Sequence, residues 1–122
     1  WFLLEEDSDK ALFYLDAFNE GSISIIIPHL LFYELGNVCL TKQLARDDVE
    51  NIAQKLSALT VKVIDIASLT FSTIYHNAVT FKLSFYDASY VALMEQEHCQ
   101  FITADKKLYN KIHKAFPQTK LL

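Results

Sequence analysis

Two cysteines, two glycines and two prolines in 122 residues are few, and each scarcity removes a class of protein. With so little Gly and Pro, and with 52% hydrophobic residues, a disordered chain and a loop-rich secreted scaffold are both excluded. Cys39 and Cys99 share no metal-ligand spacing and stand in apolar segments, so they read as reduced thiols of a cytoplasmic protein, and a disulfide is not expected. His29, His76, His98 and His113 are scattered singly without an i, i+4 pair, so no zinc site is expected. No apolar run reaches membrane-spanning length, so no membrane partner is expected. The chain opens on Trp1 with neither an initiator Met nor a signal-peptide pattern, and it reads as processed or truncated.

Positive charge is also in deficit. Eleven Lys and Arg face 15 Asp and Glu, a formal net charge of −4, which ordinarily counts against a nucleic-acid partner because phosphate binding draws on clustered cations. The distribution softens that objection. Acids crowd the start (Glu5, Glu6, Asp7, Asp9), whereas Lys106, Lys107, Lys111, Lys114 and Lys120 crowd the end, so local fields differ from the average.

What is present is an alternation of two hydrophobic periods. Ser8 can cap a helix in which Ala11, Leu12, Leu15 and Phe18 recur at helical spacing, with Gly21 ending it. Residues 23–27 are β-branched and nearly continuous, the pattern of a strand buried on both faces, and Pro28 closes it. Helices are predicted over about 29–40, 45–59 and 67–82, another from the 84–93 stretch onward, and a closing one over 105–116. Further strands are predicted over 61–66, 100–104 and 120–122. Strands alternating with amphipathic helices imply one domain over residues 1–122, an α/β/α sandwich around a mostly parallel sheet.

Three acids interrupt this apolar chain. Glu34 lies among Leu30, Leu31, Leu35 and Val38, on a helix largely covered by protein, where a carboxylate wants a partner. Asp87 stands at the start of a helical pattern continued by Val91 and Met94, and Asp105 directly succeeds the run Phe101–Ala104. Each has a bland alternative: Asp87 and Asp105 as helix caps, Glu34 on a solvated face. Ligands of parallel α/β sheets bind beyond the carboxyl ends of the strands, and all three acids fall at that edge. Brought together they would repel one another unless a cation neutralised them, and hard carboxylate oxygens favour Mg²⁺ or Mn²⁺. Ser84 and Ser89 flank Asp87, but no His is linked to them as a nucleophile's base would be, so capping and small-residue packing are their expected roles.

The order of these segments resembles a known family. Pro28 and the acid within Leu31-Phe32-Tyr33-Glu34-Leu35-Gly36-Asn37-Val38, then Tyr86-Asp87-Ala88-Ser89-Tyr90-Val91-Ala92-Leu93, then Ile102-Thr103-Ala104-Asp105-Lys106-Lys107-Leu108, resemble the successive motifs of PIN-domain ribonucleases, especially VapC-type toxins of toxin–antitoxin modules. The resemblance implies a three-layer α/β/α fold and Mg²⁺- or Mn²⁺-dependent endonuclease activity on RNA. It also implies homodimerisation and inhibition by a small antitoxin protein. Carried over by position, it makes Glu34, Asp87 and Asp105 catalytic, metal-binding acids, with Thr103 and Asn37 as supporting polar groups. The chain departs from the family in one respect. The family's first acid lies on an N-terminal strand, and Trp1–Glu6 resembles the segment just after that strand, while Glu5, Glu6 and Asp7 fall at a helix start beyond its position. The competing expectation is therefore a catalytically defective PIN-like remnant that acts through protein association.

Overall fold

The computed structural model describes residues 8–122. Glu5, Glu6 and Asp7, the acids nearest the place of the family's first acid, lie outside the described residues. Helix α1 (Ser8–Asn19) runs out at Gly21, whose φ of +73° is the left-handed conformation that favours glycine. Strand β1 (Ile26–Pro28), helices α2 (Leu30–Thr41) and α3 (Arg46–Ala58) and strand β2 (Lys62–Ile64) come next. Then come a 3₁₀ turn (Ile66–Ser68), α4 (Phe71–Phe81), α5 (Phe85–Glu97), β3 (Phe101–Thr103), α6 (Lys106–Ile112) and β4 (Thr119–Leu121).

The elements match the sequence pattern more closely than their lengths do. The helix expected over 67–82 begins only at Phe71, because Asp65 accepts the Ala67 N–H at 3.0 Å and the Ser68 hydroxyl donates to the Asp65 carbonyl at 2.6 Å. Those side chains satisfy the local backbone in a tight turn and so compete with a helix. The closing helix likewise stops at Ile112 rather than at 116.

The principal correction concerns the sheet. In place of one central sheet, the described residues form two parallel pairs, β1 with β2 (Ile27 opposite Val63) and β3 with β4 (Ile102 opposite Lys120). Between the pairs lies an apolar slot of about 490 Å³, flanked by Ile25–Ile27 on one side and Phe101 and Ile102 on the other. Residues of β2 do not line it, so the slot borders the edge of β1 that faces away from its partner strand. Ala11 and Tyr14 of α1 and Tyr90, Leu93 and Met94 of α5 complete its walls. This cleft separates the two pairs, and it also explains why Ile26 and Ile27, expected to be buried on both faces, are only half-buried.

Helix α5 holds the halves together. Ala88, Ala92 and Leu93 pack with Leu69 and Ile74 in a cluster that Ile26 and Ile64 join from β1 and β2. Val91 and Met94 pack with Leu108 and Ile112 in a second cluster, joined by Phe81, Phe101 and Phe116. A helix apolar on nearly all sides is a core helix. Its one deep polar tie to α4 among the described residues is the buried Asn77 amide, which donates to the Glu95 carboxylate at 2.6 Å.

Candidate functional site

The N-terminus of α5 is fixed by Ser84, not by Asp87. The Ser84 hydroxyl accepts the Asp87 N–H at 3.0 Å and donates to Asp87 Oδ2 at 2.8 Å. Of the two sequence readings of Asp87, the cap is thereby corrected: a serine is the shorter and better-placed acceptor at the first non-helical position. Asp87 sits in the first turn, where a negative charge is favoured by the helix dipole.

One turn further along α5, Tyr90 meets Glu34. Its hydroxyl donates to Glu34 Oε2 across 56 residues of sequence, tying α5 to α2. The tyrosine ring stacks on Phe101 of β3, with centroids 6.0 Å apart and planes 20° from parallel. The phenol is held far above its ordinary pKa, first by burial, then by its hydrogen bond to Glu34 and by the nearby charges of Glu34 and Asp87. It therefore stays protonated and donating.

Asp105 is built differently. It is the N-cap of α6, where Oδ1 accepts the N–H groups of Lys107 at 2.7 Å and Leu108 at 3.0 Å. Its own N–H donates to Thr103 Oγ1 at 3.0 Å, so Thr103 braces the strand-to-helix turn. Glu34 and Asp87 are half-buried, whereas Asp105 is exposed. Asn37 borders a separate hollow between α2 and α3 with Phe32, Tyr33 and Leu40, and Glu34 does not line that hollow.

The expected convergence of three acids on one cation is not what the structure shows: among the described residues, no group of three or more His, Cys, Asp or Glu is placed to hold a metal ion. Glu34 and Asp87, linked through Tyr90 of the helix that carries Asp87, still have the right chemistry. Mg²⁺ commonly takes only one or two carboxylates and completes its shell with water and substrate oxygens. Glu34 and Asp87 each commit one oxygen to a neutral hydroxyl, and a carboxylate's further lone pairs leave room for more. The two donors thus have the chemistry a hard cation needs, whereas Asp105 has one oxygen committed to capping α6.

A family model of the PIN domain matches residues 1–114. The chain belongs to the PIN domain family. No curated protein matches it significantly. PIN domains are a family of metal-dependent nucleases that generally use Mg²⁺ or Mn²⁺, and the mixed α/β architecture with short parallel strands agrees with a PIN fold. No helix among the described residues is long and apolar enough to cross a membrane. The site residue that sequence reasoning missed is Tyr90, which appeared there only as one position of the Tyr86–Leu93 motif. The usable signal was its place three residues after Asp87, on the same face of the helix.

Proposed function

We propose that this PIN domain is a metal-dependent endoribonuclease of the VapC toxin type. The observation that carries the reading is the hydrogen bond from the Tyr90 hydroxyl to Glu34, which brings an acid of α2 to α5 one helical turn from Asp87. Glu34 and Asp87 would hold Mg²⁺ or Mn²⁺, and Asp105, braced by Thr103, would add negative charge from the N-terminus of α6. When bound, such an ion supplies Lewis acidity and a water of lowered pKa for phosphodiester hydrolysis. Lys106 and Lys107, exposed beside Asp105, offer the cations that a phosphate backbone needs in an otherwise acidic chain. Asn37, facing another hollow, is the weakest member of the proposed set.

Association is proposed on the exposed aromatics. Phe71 and Tyr75 of α4 are 70% and 59% exposed, and Tyr86 of α5 is 63% exposed, a surface suited to a homodimer or a small antitoxin protein. A second reading, a PIN-like remnant acting only through such association, is favoured by the divided sheet and by the lack of a three-acid group among the described residues. Cleavage of single-stranded RNA with Mn²⁺, compared with the same reaction in EDTA, separates the two. Cleavage that EDTA abolishes supports the nuclease, and intact RNA under both conditions supports the remnant.

A further inference from the structure

We infer that Tyr90 is a positioning residue that pins Glu34 beside Asp87, so that the two carboxylates take a divalent cation as a pre-set pair. The inference deepens the nuclease reading and rests on it. Three features of Tyr90 suit the role. Its ring is immobilised from β3 by stacking on Phe101, so the hydroxyl has a fixed place. It stands one turn after Asp87 on α5, so whatever the hydroxyl holds is held near that carboxylate. It bonds a side chain from α2, and that bond ties α2 to α5.

The physical need is clear without a metal. Glu34 and Asp87 carry like charge, and an untethered glutamate with its rotamer freedom would swing away from its neighbour. A phenol donor opposes this at little electrostatic cost, because it is neutral and offers a strong hydrogen bond to a carboxylate. It engages Glu34 at Oε2 and leaves acceptor capacity for a cation. A lysine in the same place would neutralise the pair and compete with that cation.

The test is Mn²⁺ binding by calorimetry to the parent chain, Tyr90→Phe, Glu34→Gln and the double variant. Tyr90→Phe keeps the stacked ring and removes only the donor. Its Mn²⁺ affinity is expected to fall about tenfold, the scale of one charge-assisted hydrogen bond, with a melting temperature close to the parent's. In the Glu34→Gln background the same substitution is expected to change Mn²⁺ affinity little, since the carboxylate it positions is gone. Equal Mn²⁺ affinity for parent and Tyr90→Phe, or an equal loss in both backgrounds, would overturn the positioning role while leaving the nuclease reading intact. A parent chain that binds no Mn²⁺ would overturn both.

Discussion

Ser84 and Asp105 hold equivalent places at the starts of α5 and α6, yet one is a neutral cap beside an acid and the other is itself the acid. Removing either side chain strands backbone N–H groups. Ser84→Ala and Asp105→Ala are each expected to lower stability by about 1 kcal/mol, read by urea unfolding. Asp105→Asn separates capping from charge, because the amide oxygen still accepts from Lys107 and Leu108. That variant is expected to unfold at the parent's urea midpoint while cleaving RNA more slowly. A clear drop in midpoint with unchanged cleavage would reduce Asp105 to a cap. At this scale the sequence singled out three acids but not what each one touches. The Tyr90–Glu34 contact spans 56 residues, and no local periodicity encodes such a pair.

Among elements, the helices were legible because their apolar residues recur with the helical period and their ends carry Gly21, Ser84 and Asp105. The strands were legible in kind but not in extent, since all four among the described residues have only three residues, and pairing is decided by partners distant in sequence. One ion pair shows how β2 is tied to the end of α5: Lys62 Nζ meets Glu97 Oε2 at 2.6 Å. The hydrogen bond from Lys62, with its charge, holds the Glu97 carboxyl below the usual glutamate range. Because the folded pKa lies below the unfolded one, the pair's contribution is present above about pH 4.3 and is lost as pH falls through the lowered folded value. Melting of the parent and Glu97→Gln across that range is expected to show an advantage for the parent at neutral pH that disappears in acid. Melting curves that keep a constant separation into acid would contradict it. In the core, Ile74 is 1% exposed, and Ile74→Ala is expected to cost about 2–5 kcal/mol in urea unfolding.

For the whole molecule, the divided sheet is the feature least visible in the sequence. Residues 23–27 and 100–104 read as strands of one sheet, and only the three-dimensional placement reveals the slot between them. Helix α5 spans that division, so the clusters on its two sides, the Asp87 carboxylate and the Tyr90 hydroxyl all depend on one rigid element. Phe71 and Tyr75 on α4 and Tyr86 at the start of α5 are among the exposed aromatics, and Phe71→Glu is expected to convert a sedimenting dimer to monomer without unfolding it. A parent already monomeric across the micromolar range would remove that proposal. The central claim is that Asp87 serves a cation through its charge, and calorimetric Mn²⁺ titration of Asp87→Asn against the parent tests it most directly. Asn retains an oxygen for the Ser84 hydroxyl but lacks the charge, so the account predicts a parental melting temperature with Mn²⁺ binding lost. Parental Mn²⁺ affinity in Asp87→Asn, together with a lowered melting temperature, would contradict it and make Asp87 a structural residue.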